Sequence, residues 1–181
     1  MLVRVVSGVL KGRRLVAPEG TATRPTSDRV RESIFNALGS IGAVDQARVV
    51  DMFAGSGAMG IEALSRGASE CTFVEQSRVA SDVIGENLRS LDLAGSAQVV
   101  AKDVLTYLGS APRFDLALID PPYEFDRWDE LLGDLDAGVA VIESNRLIEV
   151  PPKWSTVREK HYGTTVVLIA RLVPGHARGH R

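Results

Sequence analysis

Apolar positions along the chain recur with two different periods, and the places where the period changes mark the elements. Residues 2–8 and 13–17 are rich in β-branched side chains and are separated by Val9-Leu10-Lys11-Gly12, which predicts a hairpin. A loop with turn residues runs from Pro18 to Pro25. Ser27 then stands as an N-cap before Val30, Ile34, Ala37 and Leu38 on one helical face, with Gly39 as the stop. From residue 48 short apolar runs alternate with helical spacing. Strands are expected over 48–52, 71–75, 98–101, 114–119 and 139–143, and helices over 58–66, 77–91, 103–108 and 128–135. The run over 114–119 suits a strand buried on both faces. Residues 156–161 and 164–173, turning at Gly163, predict a closing hairpin. Strands alternating with helices mean an α/β fold, a parallel sheet covered on both faces, and the last hairpin adds an antiparallel edge.

The turn after the first of these strands carries a candidate binding loop. Gly55, Gly57 and Gly60 match G-x-G-x-x-G between a strand and a helix, where a ligand can approach bare backbone at a helix N-terminus. Such loops serve dinucleotides and S-adenosylmethionine alike. Asp51 at the strand tip would repel a pyrophosphate, but it suits the α-ammonium group of S-adenosylmethionine, directly or through water. Glu75 closes the next strand, at the place of a ribose-binding acid. Phe53, Ala54 and Gln76 flank these positions and join the candidate cofactor site. Asp103 after the third strand has two readings, an acceptor for the adenine amino group or a helix N-cap, and Val104 beside it offers a backbone N–H.

A second loop carries acceptors. The strand over 114–119 runs into Asp120-Pro121-Pro122-Tyr123. Ligands of open α/β sheets bind outside the carboxyl ends of the strands, so Asp120 is expected in the same crevice as Asp51 and Glu75. The prolines stiffen the turn and remove two N–H donors, leaving the Asp120 carboxylate and the Pro121 carbonyl as acceptors. Two acceptors can hold the hydrogens of an exocyclic amine so that its nitrogen faces a methyl donor. Tyr123 can stack on the base, which must leave its stack or already be unpaired. Asp120, Pro121, Pro122 and Tyr123 are therefore the candidate catalytic set, and Asp120 also belongs to the candidate cofactor site.

Charge adds a candidate partner. The net charge of −2 is unevenly spread: residues 1–31 carry Arg4, Lys11, Arg13, Arg14, Arg24, Arg29 and Arg31 against only Glu19 and Asp28. A basic arm on an acidic body is the pattern expected where one end meets a polyanion. Lys11, Arg13, Arg14, Arg24, Arg29 and Arg31 are the candidate RNA contacts there. Arg158 and Lys160 alternate along one strand as a further basic stripe. The length of 181 residues suits one full core. No apolar run reaches the roughly 18 residues of a membrane span, and no signal core opens the chain, so a cytoplasmic location is expected. The single cysteine, Cys71, excludes an intrachain disulfide and reads as a core thiol, which argues against a cysteine-nucleophile methylation. His161, His176 and His180 lack partners at ligand spacing, so no metal is expected. Trp128 reads as helix packing or base-pocket lining, and Lys153 and Trp154 as a loop or an RNA contact.

The motifs, taken together, resemble a known family. Asp-Pro-Pro-Tyr with Asp51-Met52-Phe53-Ala54-Gly55-Ser56-Gly57 is similar to the class I amino-methyltransferases. The segments 4–8, 11–15, 24–36, 60–68 and 158–163 resemble the RsmD family over nearly the whole chain. That resemblance implies a class I methyltransferase, Rossmann-like and mostly parallel seven-stranded sheet, with a small N-terminal β-hairpin extension (1–25) ahead of the methyltransferase domain (26–181). It implies transfer of a methyl group from S-adenosylmethionine to N2 of one guanine of 16S ribosomal RNA (position 966 in the usual numbering). The substrate would be the assembling 30S subunit and the enzyme a monomer. It also implies that Arg24 and Thr26 lie near the cofactor or the RNA entrance. Many relatives carry Phe at the fourth motif position, where Tyr123 keeps the stacking face. Three alternatives stay open: a DNA adenine-N6 or cytosine-N4 methyltransferase, which the short chain leaves little room for; a Rossmann oxidoreductase, which Asp51 and Asp-Pro-Pro-Tyr oppose; and a non-catalytic ribosome-assembly factor.

Overall fold

The computed structural model describes residues 3–19 and 27–176. In chain order the elements are β1 (Val3–Arg4), β2 (Arg14–Leu15), α1 (Asp28–Ser40), β3 (Arg48–Met52), α2 (Ala58–Ser65), β4 (Glu70–Val74), α3 (Arg78–Ser90) and β5 (Ala97–Val100). Then come α4 (Val104–Leu108), β6 (Phe114–Ile119), α5 (Trp128–Asp134), β7 (Ala137–Ser144), β8 (Trp154–Tyr162) and β9 (Thr165–Leu172). Seven strands form one sheet in the order β5-β4-β3-β6-β7-β9-β8. The first five are mutually parallel, and β9 pairs antiparallel with both β7 and β8. The fold class expected from the sequence is the one observed. The chain enters the sheet at β3, winds outward through β4 and β5, and returns to β6 on the other side of β3. That reversal opens a crevice above the carboxyl ends of β3 and β6.

Alternation along the strands sorts the core into two layers. Val49, Phe73, Leu116, Leu118, Val141, Val167 and Ile169 face α1, α2 and α3 and pack with Phe35, Leu38, Ile61 and Ile84. Val50, Met52, Ala117, Ile119, Ile142 and Leu168 face α4 and α5 and pack with Leu108, Leu131 and Trp154. The central strand β6 is thus covered on both sides, as its apolar run requires.

Two local expectations are corrected. Gly39 does not stop α1: it stays helical, and the helix ends one residue later at Ser40, where Ile41 N–H turns back to the Leu38 and Gly39 carbonyls and Gly42 takes φ +67°. Ser27 caps the other end by accepting from Val30 N–H. The N-terminal hairpin is also far shorter than its β-rich runs suggest, with only Val3↔Leu15 and Arg4↔Arg14 paired. Beyond these pairs Val5 N–H still donates to the Arg13 carbonyl (2.9 Å) and Gly12 N–H to the Val5 carbonyl (2.8 Å), and helix α2 holds the turn. Glu62 on α2 accepts from Val6 N–H (2.8 Å) and Ser7 N–H (2.9 Å), and Ser65 Oγ donates to the Ser7 carbonyl (2.6 Å). Gly8 adopts φ +83° where a Cβ would stand 1.9 Å from the Ser65 carbonyl oxygen, so only glycine fits this approach. Val3, Val5 and Leu15 are buried in the same layer as α1 and α2, so the hairpin shares the core of the sheet domain.

Candidate active site

The glycine loop is held from below by side chains. Asp51 is 3% exposed and accepts from Gly60 N–H at 2.8 Å. Gly57, at the N-cap of α2, has no side chain to cap with, so Asp51 supplies that acceptor from the strand beneath. Burial pushes the Asp51 carboxyl up to about 8, and the nearby Glu75 charge adds to the rise. The structure turns Asp51 inward onto the loop backbone, where the sequence allowed it to reach an ammonium group directly or through water. Gly60 could carry no side chain, since a Cβ would lie 2.4 Å from the Phe73 ring and 2.7 Å from Cys71 Sγ. Cys71 is a buried core thiol whose ionisation burial opposes. Phe53 and Gly55 take left-handed backbone, φ +58° and +57°.

Glu75 joins the loop to the start of α3. Its Oε2 accepts from Gly55 N–H and its Oε1 from Ser77 N–H, both at 2.9 Å, and it is half-buried. Each carboxylate oxygen keeps a second lone pair for a ligand hydroxyl. Gln76 beside it is exposed. Above Gly55 the space is open: a Cβ there would meet nothing closer than the Phe53 carbonyl, 4.0 Å away. Ala54 is buried, its N–H on the Val74 carbonyl. Asp103 is the N-cap of α4, accepting from Thr106 N–H through Oδ1 at 2.9 Å. Val104, buried, follows it in the first turn, where backbone N–H groups lack intrahelical acceptors.

The second loop reaches the same crevice. Met52 pairs with Ile119 in the parallel register, so Asp120 leaves β6 level with Phe53 leaving β3. Asp120 is half-buried, Pro121 is buried, and Pro122 and Tyr123 are exposed, the tyrosine at 54%. Phe125 N–H closes the turn onto the Pro122 carbonyl at 3.0 Å. The Phe125 ring lies edge-to-face between Phe53 (5.2 Å) and Trp128 (5.1 Å) and so ties the two loops together. Arg146, just past β7, donates to the Phe125 carbonyl at 3.0 Å. Trp128 is buried in helix packing. Trp154 is buried too, its Nε1–H on the Leu132 carbonyl, and Lys153 donates to the Gly133 and Leu135 carbonyls at the end of α5.

Of the basic candidates, Lys11, Arg13, Arg14, Arg29, Arg158 and Lys160 are exposed, and Arg13 donates to the Ser90 carbonyl at 2.8 Å. Arg31 is corrected: it is 1% exposed, paired with Asp28 (3.0 Å) and Glu62 (3.4 Å), and donates to the Arg4 carbonyl. Burial pushes its guanidinium down from the usual arginine value, and Glu62 and Asp28 oppose that. Arg24 and Thr26 lie outside the described residues. Three residues that the sequence did not single out matter here: Glu62, Arg146 and Asn87. The buried Asn87 accepts from Val16 N–H (2.8 Å) and donates to the Val16 (2.9 Å) and Ser56 (3.0 Å) carbonyls, linking the hairpin to the glycine loop.

Residues 3–171 match the family model described as Conserved hypothetical protein 95. The chain belongs to the RsmD family. It is 40% identical over 181 residues to YlbH of Bacillus subtilis, covering 92% of this chain and 97% of that one. It is 37% identical over 172 residues to the ribosomal RNA small subunit methyltransferase D of Escherichia coli, covering 89% and 85%. The solved structure of yhhF from Escherichia coli superposes with a TM-score of 0.84 at 33% identity, covering 95% of this chain and 98% of that one. The RsmD-family sheet seen here is thus a class I methyltransferase fold, and the crevice above β3 and β6 is where its two motif loops meet.

Proposed function

We propose that this RsmD-family chain transfers a methyl group from S-adenosylmethionine to the exocyclic N2 amine of a guanine in 16S ribosomal RNA of the small ribosomal subunit. The observation that carries it is the register of β3 against β6, which sets the Asp120 acceptors level with the glycine loop. The relative named ribosomal RNA small subunit methyltransferase D supports RNA as the substrate class. The site fits the methyl donor: Gly55 borders open space, and Glu75, held against the loop by Gly55 N–H, offers carboxylate lone pairs beside it. Bound there, S-adenosylmethionine supplies an electrophilic methyl group on a sulfonium leaving group.

The chain's own residues do the positioning. Glu75 would accept from the ribose hydroxyls, and the Val104 N–H with Asp103 would meet the adenine. The Asp120 carboxylate and the Pro121 carbonyl accept the two N–H groups of the guanine amine, while Tyr123 stacks on the base. So held, the amine nitrogen would face the methyl carbon that bound S-adenosylmethionine would supply, with sulfur keeping the electron pair of the carbon–sulfur bond. The proton then leaves to water, and no strong base is needed because the amine acidifies as it bonds. Lys11, Arg13 and Arg14 on the hairpin hold phosphates.

The test uses labelled S-adenosylmethionine with small subunits lacking the modification, naked 16S RNA and duplex DNA in parallel, followed by nucleoside analysis. N2-methylguanosine on RNA is expected, and Asp120→Ala should lower kcat by about 10²–10³-fold with cofactor affinity retained. Label on DNA as N6-methyladenine would replace the RNA reading. No label on any substrate would leave an assembly factor.

A further inference from the structure

A groove of about 370 Å³ lies on the flank of the domain, lined by Arg29, Glu32, Ser33, Asn36 and Ser40 of α1 and by Arg158 of β8. A small adjoining pocket, which shares Ser33 and Arg158 with the groove, adds Lys160 and Tyr162 from the same strand. Arg158, Lys160 and Tyr162 sit opposite Ile169, Val167 and Thr165 of β9 and so share the face of β8 that looks toward α1. Glu159 and His161 point the other way and pair with each other at 2.8 Å. Lys160 lies 5.0 Å from the Tyr162 ring centre and 3.5 Å from Ser33 Oγ, and the Tyr162 hydroxyl bonds that same serine. Arg29 and Arg158 make no ion pair with any described residue.

The topology links this groove to the crevice. β8 runs parallel to β7, since both are antiparallel to β9, so Tyr162 lies at the same end of the sheet as Ser144, the carboxyl edge where the crevice opens. Ser33 meets Tyr162, and Arg29 stands one turn nearer the start of α1, hence nearer the rim. Arg158 lies four residues below Tyr162, about 13 Å along the strand. Three cations line a track that starts at the rim, interleaved with the Ser33, Ser40 and Asn36 side chains. Cations suit phosphates, and hydroxyl and amide groups suit sugar hydroxyls.

We propose that the α1–β8 groove is a second RNA track, holding the sugar–phosphate backbone of the strand beside the target base, on a different flank from the N-terminal hairpin. The proposal rests on RNA being the substrate. Glu32 is the one acid lining the groove, and it opposes the charge of the others.

The test measures binding of naked 16S RNA across about 50–200 mM salt, with kcat and KM on small subunits and affinity for S-adenosylhomocysteine. Arg29→Ala with Arg158→Ala should flatten the slope of log affinity against log salt by about 1.4–1.8 and weaken RNA binding tenfold or more at the lower salt. KM should rise while kcat at saturation and cofactor affinity hold. Arg29→Lys with Arg158→Lys should restore the slope, and Glu32→Gln should tighten RNA binding, neither of which a folding defect would produce. An unchanged slope overturns the track. A raised KM on subunits with unchanged binding to naked RNA also overturns it, assigning the groove to a protein of the particle. If the wild type methylates RNA and the slope is unchanged, the track alone fails; if the wild type neither binds nor methylates RNA, the substrate reading fails with it.

Discussion

The two loops that meet in the crevice are built in opposite ways. The glycine loop is fastened by side chains from other elements: Asp51 on Gly60, Glu75 on Gly55 and Asn87 on Ser56. Its conformation stands ready before any ligand arrives. The Asp120–Tyr123 loop is stiffened by two prolines and closed by Phe125 N–H on the Pro122 carbonyl, and Phe125 and Arg146 anchor it from outside. Its tip is exposed. The difference matches what each loop would receive in the proposed reaction. A small cofactor gains affinity from a preorganised cradle. A base delivered on a large RNA would need an open platform.

The contrast breaks most visibly at Glu75. In Glu75→Ala the Gly55 and Ser77 N–H groups lose their acceptor, so the cradle loosens as the ribose contact disappears. Affinity for S-adenosylhomocysteine, measured by calorimetry, should fall about 10–100-fold, in line with hydrogen bonds to a charged group. Tyr123 should give the opposite pattern with a smaller effect. Tyr123→Ala removes one stacking face and should raise KM for RNA about tenfold with cofactor affinity unchanged, while Tyr123→Phe should change it less than twofold. If Tyr123→Ala weakened cofactor binding as much as Glu75→Ala, the two loops would form one site rather than a cradle and a platform.

The cradle and the platform were legible in the sequence because each is a short run of residues with its own local rule. A G-x-G-x-x-G turn after a strand and a Pro-Pro turn after a buried strand give their own positions, and the alternation of periods gave the sheet. What sequence could not supply was the wiring between distant segments. Arg31 reads as one more charge in a basic arm, yet its partner Glu62 lies 31 residues on, and only the packing of α1 against α2 makes the pair a buried one. Asn87 sits on an amphipathic helix with nothing to distinguish it from a solvated amide; its three bonds reach Val16 and Ser56. Asp51 was legible as an acid at a strand tip but not in its direction, because which face of β3 is inward at that residue depends on where α2 packs.

That direction has a consequence in pH. Burial pushes the Asp51 carboxyl up to about 8 in the folded chain, against the Gly60 hydrogen bond and with a smaller push from the Glu75 charge, where an ordinary aspartate has 3.8. Between those values the folded state holds a proton that the unfolded state has released. Its contribution to stability is therefore complete below about pH 4, declines as pH rises, and is lost by about pH 8. Asp51→Asn keeps an acceptor for Gly60 N–H and removes the titration. Urea midpoints compared at several pH values from 4 to 9 should then diverge: the variant gains on the wild type by up to about 1.4 kcal/mol per pH unit through this window, and the gap stays constant above it. Parallel curves would mean that the carboxylate is ionised and solvated at neutral pH. Asp51 would then hold Gly60 N–H as a charged acceptor, and its carboxylate would carry the negative charge that an ammonium group needs nearby.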